Sequence, residues 1–123
     1  MLSLQAKYQR QRIEREGTRR FELAKRQSQA RLDAYEAIFT AFAHPVRRRI
    51  LVTVHFEGGS MSAGEIAAMF EHAWPTTTRH LQVLESAGLL HHERQGRVRI
   101  YRIDRRRFEL VRDWLAWFSR DPE

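Results

Sequence analysis

Residues 62–103 read SAGEIAAMFEHAWPTTTRHLQVLESAGLLHHERQGRVRIYRI, which contains two short helical patterns followed by two strand-like runs. The first helix is predicted to begin at Ser62, because Glu65 stands at the spacing of a capping box. The second is predicted to run from Pro75, a residue suited to a first helical turn, to a glycine cap at Gly88. Two such helices joined by the turn EHAWP form a helix-turn-helix.

The two runs after the second helix are LLHHER (89–94) and VRIYRI (98–103), and they flank the tripeptide QGR. A short loop that contains glycine between two β-prone runs predicts a β-hairpin. A basic hairpin that directly follows the second helix of a helix-turn-helix is a wing. The predicted fold class is therefore mainly α with a small β-hairpin, a winged helix-turn-helix.

Three more helices are predicted around this unit. One begins near Arg31 and ends before Pro45, because apolar residues recur there at three- and four-residue steps. Its apolar face is formed by Leu32, Tyr35, Ile38, Phe39 and Phe42. The next begins at Pro45 and ends at the sequence EGGS (57–60), and the last is predicted over residues 105–120.

The charge is concentrated in two places. The chain of 123 residues carries 22 Lys and Arg against 15 Asp and Glu, and all but Lys7 and Lys25 of the basic residues are arginine. Residues 1–31 and residues 94–107 are both strongly basic, which indicates contact with a polyanion. We expect residues 1–30 to be a basic N-terminal extension, either a helix broken near Gly17 or an arm, and residues 31–120 to be the winged helix-turn-helix domain.

Several classes of protein are disfavoured. The absence of cysteine excludes disulfides and thiolate metal sites, and no apolar run approaches the length of a membrane span. The sequence shows no Gly-rich phosphate loop and no nucleophile elbow, so we expect neither an enzyme nor a cofactor. The first residues lack an apolar signal region, and a cytoplasmic, nucleoid-associated protein is expected.

Two segments resemble a known family. AFAHPVRRRILVTV (41–54) is similar to the "ALADPTRLRILxLL" opening of ArsR/SmtB-type repressors. Residues 62–103 resemble that family's "ELAxxLxxSxSTVSRHLxxLxxAGLVxxRRxGRxxYYRL" block, most specifically in RHLQVLESAGLL and RQGR. The resemblance covers about residues 32–115 and implies a homodimeric repressor that binds double-stranded operator DNA, palindromic by the symmetry of the dimer.

The resemblance also implies which residues contact DNA. Arg79 and His80 stand at the family's "RH", whereas Trp74 and Pro75 replace a polar pair. The expected contacts of the recognition helix are Trp74, Thr76, Thr78, Arg79, His80 and Gln82. His80 is expected to pack or to touch phosphate rather than to read bases, and Gln82 could equally be plain surface. The wing is expected to contribute Arg94, Arg97 and Arg99. The second core helix is expected to contribute phosphate contacts from Arg47 and Arg48, and at least one arginine of 47–49 is expected to be structural or to bind phosphate only.

The last helix has two apolar stripes, whereas a surface helix of a monomer needs only one. This surplus predicts a partner surface, and the family's dimer interface implies the same. The expected interface residues are Phe39, Phe108, Val111, Trp114, Leu115, Trp117 and Phe118.

No metal site is recognisable. The last helix has no histidine, and adjacent His91 and His92 point to opposite faces of a strand. Two other functions stay open: a protein- or RNA-interaction module that uses the fold and the basic arm, and a metal-responsive repressor with a non-standard histidine site. The operator, the target genes and the small-molecule or protein inducer are not indicated.

Overall fold

A computed structural model describes residues 3–71 and 74–121. The helices of the described residues are α1 (Leu4–Phe42), α2 (Pro45–Phe56), α3 (Ala63–Ala68), α4 (Trp74–Ser86) and α5 (Arg105–Ala116). The strands are β1 (Ser60–Ser62), β2 (Leu90–Gln95) and β3 (Val98–Ile103). This arrangement confirms the predicted winged helix-turn-helix. The predicted turn EHAWP includes His72 and Ala73, which lie outside the described residues.

The chain divides into two compact units, Met1–Asp33 and Ala34–Glu123. In the first unit, α1 begins at Leu4 and continues through Gly17, so the predicted break near this glycine was wrong. A single glycine costs a helix about 1 kcal/mol relative to alanine, and here it is surrounded by strong helix formers such as Arg, Glu and Gln. Side chains 7–33 are all exposed.

The second unit holds the hydrophobic core, to which α1, α2, α3, α4 and the sheet all contribute. Its fully buried large side chains include Ile38, Ile50, Val54, Ile66, Leu81, Leu84, Leu89 and Leu90. These residues stand mostly at helical spacings of three and four, so each helix turns one stripe inward. The backs of α3 and α4 are therefore held by the same core.

The sheet has three antiparallel strands in the order β1-β3-β2. The sequence predicted only the hairpin of β2 and β3, and β1 was missed because the three residues Ser-Met-Ser carry no strand pattern. β1 exists through its pairing with β3, where Met61 lies opposite Tyr101 and both side chains are buried. This pairing ties the wing to the start of the helix-turn-helix.

Local capping places the helix ends close to where the sequence predicted them. Gly88 follows α4 with φ +76°, and the Leu89 and Gly88 N–H groups donate to the Leu84 and Glu85 carbonyls, which is a Schellman motif. Asp104 caps α5 by accepting from the Arg106 N–H. α5 ends at Ala116, short of the predicted Arg120, and a 3-10 turn follows over Trp117–Ser119.

Candidate nucleic-acid interface

The helix-turn-helix begins with a complete capping box at α3. The Ser62 hydroxyl accepts from the Glu65 N–H, and the Glu65 carboxylate accepts from the Ser62 N–H, both at 3.1 Å. These hydrogen bonds from Ser62 hold the pKa of Glu65 below its usual value. The capping box confirms the predicted start of the motif.

α4 has one buried and one exposed face. Thr77, His80, Leu81 and Leu84 are buried and share one side of the helix. The predicted DNA contacts Thr76, Arg79 and Gln82 are exposed, and Thr78 is half-buried at the edge between the faces. Trp74 opens the helix with about half of its surface exposed. The side chains predicted to read bases therefore stand on a helix whose opposite side is fixed in the core.

His80 is the exception among the predicted contacts of α4. Only 7% of its surface is exposed, and its ring packs against the ring of His44 with a centroid distance of 4.4 Å. Arg47 Nη1 lies 3.5 Å from His80 Nδ1. Of the roles expected for His80, these contacts favour packing between the start of α2 and the back of α4.

Arg47 and Arg48 bind the C-terminal end of α1. Arg47 donates from Nε to the Ala41 carbonyl and from Nη2 to the Thr40 carbonyl, both at 2.9 Å. Arg48 donates from Nη1 to the Phe42 carbonyl at 2.7 Å. Arginines are favourable here because the last carbonyls of a helix lack intrahelical donors. The sequence suggested phosphate contacts for these residues and gave no signal for this capping role.

A shallow groove of about 390 Å³ runs beside the exposed face of α4. Arg79 and Gln82 line it from α4, and Glu36, Ala37 and Thr40 line it from the C-terminal part of α1. The groove is therefore lined by one acidic residue, Glu36, and one basic residue, Arg79.

The wing is a tight hairpin with cations at its end. Gln95 pairs with Val98 across a two-residue loop whose first residue, Gly96, has φ +65°, as in a type II′ turn. Arg97 is the second loop residue and is exposed. Arg94 lies directly opposite Arg99 in the ladder. Like charges at such positions destabilise a hairpin, and a bound anion removes that cost.

Two histidine–carboxylate pairs hold the base of the wing. His91 Nε2 lies 2.8 Å from Asp104 Oδ2, and His92 Nδ1 lies 2.7 Å from Glu85 Oε2. The hydrogen bond from His91 is the main reason that the pKa of Asp104 is lowered. Because Glu85 belongs to α4 and Asp104 caps α5, the pairs link β2 to both helices.

Comparison with known proteins agrees with this geometry. Residues 42–93 match a model described as a helix-turn-helix domain. The transcriptional repressor SdpR of Bacillus subtilis is 31% identical over 80 residues, which cover 65% of this chain and 83% of SdpR. A crystal structure of an ArsR family transcriptional regulator is 34% identical, with a TM-score of 0.64, over 72% of this chain and 95% of that chain.

The chain belongs to the ArsR family of transcriptional regulators. A homodimeric winged helix-turn-helix DNA-binding domain from Mycobacterium bovis shares the fold of this ArsR-family chain, with 24% identity and a TM-score of 0.60. That alignment covers 75% of this chain and 85% of the solved domain. The predicted family and fold class are thereby confirmed.

The C-terminal part of this ArsR-family chain carries the residues predicted for a dimer interface. Trp114 packs within the chain, edge-on against Phe39 at 4.9 Å and against Phe118 at 4.9 Å. Phe108 and Val111 also pack partly against the core. By contrast Leu115, Trp117 and Phe118 are largely exposed, Phe118 to 72%. We call these three residues the C-terminal apolar residues.

The described residues of this ArsR-family chain contain no cluster of three or more His, Cys, Asp or Glu side chains that could hold a metal ion. His91 and His92 each face a single carboxylate, and a structural or regulatory zinc ion needs three or four ligands. None of the helices within residues 3–71 and 74–121 combines the length and apolar character that a bilayer span requires.

Proposed function

We propose that this ArsR-family regulator is a homodimeric repressor that binds a palindromic operator in double-stranded DNA. The observation that carries the proposal is the exposed polar face of α4 beside a wing that ends in arginines. A helix of this kind fits the major groove, where each base pair presents a distinct pattern of donors and acceptors. The relative SdpR is itself a transcriptional repressor.

In this proposal α4 and the wing bind different parts of the DNA. Arg79 lies in the second turn of α4, where side chains of a recognition helix reach base edges, and its guanidinium can bind guanine in a bidentate manner. Thr76, Thr78 and Gln82 provide shorter donors and acceptors on the same exposed side. Arg94, Arg97 and Arg99 supply charge to the sugar-phosphate backbone, or to the minor groove, next to the site that α4 reads.

A dimer would present two copies of the DNA-binding surface formed by α4 and the wing. Exposed aromatic side chains are typical of protein interfaces, and the C-terminal apolar residues include Trp117 and Phe118. A two-fold axis near these residues would give two copies of α4, which read half-sites one helical turn apart. The homodimeric state of the Mycobacterium bovis domain supports this arrangement.

Selection of bound fragments from genomic DNA with the purified full chain tests the proposal. We expect enrichment of an inverted repeat and, by light scattering, a mass twice the 14.7 kDa of one chain. Binding of all duplexes alike would instead indicate a general nucleic-acid or protein-interaction module, and a monomer at every concentration would remove the dimer.

The same selection repeated with a chelator, and then with added zinc, tests independence from metal. We expect the operator affinity to stay the same in both conditions, because His91 and His92 have one carboxylate each rather than a shared ligand set. A tenfold change of affinity with zinc that disappears when both histidines are replaced by alanine would show a metal-responsive repressor.

A further inference from the structure

Residues 4–26 of α1 carry a row of arginines on one face. At 100° per residue, Arg12, Arg15, Arg19 and Arg26 fall within an arc of about 60° and span about 21 Å along the axis. We call these four residues the arginine stripe. The other cations of residues 4–26 lie on other sides of the helix, and they are Lys7, Arg10, Arg20 and Lys25.

The stripe is solvated and is nearly free of internal partners. All four side chains are exposed. Arg12 Nε lies 3.4 Å from Glu16 Oε1, and both side chains of this pair are more than half exposed, so the pair holds Arg12 weakly. Within the described residues, Arg15, Arg19 and Arg26 make no ion pair with a carboxylate. Arg12, Arg15 and Arg19 follow one another at three- and four-residue steps, so their like charges repel, and an anionic partner would neutralise the stripe.

The side chains on the other side of the helix favour one class of anionic partner over another. The side opposite the stripe reads Ile13, Gly17, Phe21, Ala24 and Ser28, in which only Ile13 and Phe21 are large and apolar. A helix that lies in a bilayer surface needs a much more apolar face than this. Duplex DNA, in contrast, presents one charge for about every 1.7 Å of axis and needs only cations at its surface. Guanidinium groups also match phosphate geometry better than ammonium groups do.

We propose that the arginine stripe binds the phosphate backbone of double-stranded DNA, as a contact separate from α4 and the wing. The inference rests on the proposed DNA-binding function and adds a third surface to it. Because phosphates carry no sequence information, the stripe contributes affinity and salt dependence, while the preference for one operator stays with α4.

Two charge-matched variants test the stripe in the full chain. One replaces Arg12, Arg15, Arg19 and Arg26 by Gln, and the control replaces Lys7, Arg10, Arg20 and Lys25 by Gln. Both lose four positive charges from the same helix, and Gln preserves helix propensity. Circular dichroism of both variants checks that the helix remains. Affinity is then measured at several salt concentrations on an operator duplex with long flanks.

For the stripe variant we expect the slope of log affinity against log salt to fall by about two to four units for each protomer, since each phosphate contact contributes about 0.9. The control should change the slope by less than about one unit. Preference for the operator over a scrambled duplex should be the same in both variants. Equal losses in the two variants, or no loss in either, would overturn the proposal.

Two further results separate the alternatives. If the stripe variant keeps its affinity for DNA but loses binding to phosphatidylserine vesicles, the partner is a membrane and the proposal is wrong. A second outcome would reject the stripe alone and leave the proposed repressor intact. In that outcome the wild type prefers an operator, Arg79→Ala removes the preference, and the stripe variant binds DNA like the wild type. Wild-type protein that binds no duplex would reject both.

Discussion

The helix α4 and the wing both present exposed arginine side chains, Arg79 and Arg97, but the two elements are supported differently. α4 buries Thr77, His80, Leu81 and Leu84 against the core. In β2 only Leu90 is buried, and the five residues that follow it are exposed. A side chain that must distinguish bases has to be held in place, whereas a side chain that binds phosphate needs only charge and reach. From this difference in support we expect α4 to read bases and the wing to bind the DNA backbone.

The first way to test this contrast is to remove apolar side chains from the two elements. Leu84 is fully buried behind α4, so Leu84→Ala should lower the free energy of unfolding by about 2–5 kcal/mol. Val98 in β3 is 47% exposed, and Val98→Ala should cost less than about 1 kcal/mol. Urea unfolding of both variants at one protein concentration measures the difference, and similar losses would show that the wing is part of the core.

The next largest loss of stability is expected from a substitution at Gly88, which connects α4 to the wing. Gly88 has φ +76°, and a Cβ there would lie 2.7 Å from Arg107 Nε, which donates to the Ala87 carbonyl at 2.8 Å. Gly88→Ala should therefore cost about 1–3 kcal/mol, from the left-handed backbone and the displaced arginine. Gly64→Ala is the control, because Gly64 is helical and has room for a methyl group, and it should stabilise the fold slightly. Thermal unfolding of the two variants should shift in opposite directions; a shift in the same direction would contradict the account.

A smaller effect is expected where the wing returns to α5. The pKa of Asp104 is lowered in the folded state, mainly by the hydrogen bond with His91, so its ionised form stabilises the fold at pH above the ordinary carboxyl value. That contribution is lost as pH falls through the lowered pKa of Asp104. Asp104→Asn keeps a capping oxygen, and it should lower the melting temperature by a few degrees near neutral pH and by nothing in strong acid.

Asp113→Asn is the control for this pH dependence, because Asp113 is an exposed carboxylate on the same helix. Asp113→Asn should leave the melting temperature unchanged from neutral pH to strong acid. A deficit of Asp104→Asn that persists at low pH would mean that the loss comes from the cap and not from the charged carboxylate.

The sequence predicted the features that local chemistry determines. The capping box at Ser62, the glycine cap at Gly88 and the hairpin turn at Gly96 each depend on residues a few positions apart, so their spacing is informative. β1 was missed because a three-residue strand exists only through its pairing with β3. The capping of α1 by Arg47 was missed for the same reason, since it depends on how two helices meet.

In the candidate site, too, the sequence predicted what local spacing determines and missed what tertiary contacts determine. The helical period separated the faces of α4 correctly, with Arg79 and Gln82 exposed and Leu81 and Leu84 buried. His80 follows the same period, because it shares one side of α4 with Thr77 and Leu84. The period does not give its packing partner, which is the ring of His44 from the start of α2. The role of a buried polar side chain depends on tertiary contacts of this kind, which the helical period does not contain.

We expect Arg79 to read bases and Arg97 to bind the DNA backbone. Binding isotherms of Arg79→Ala and Arg97→Ala on matched and mismatched duplexes at several salt concentrations test both roles directly. Arg79→Ala should cost about 1–3 kcal/mol on the operator and flatten the preference over mismatched duplexes. Arg97→Ala should weaken all duplexes by similar factors and lower the salt slope by about one unit. Thermal stability should stay constant, because both side chains are exposed. Uniform loss with Arg79→Ala and lost discrimination with Arg97→Ala would reverse the two roles, and no effect of either would contradict DNA binding by this surface.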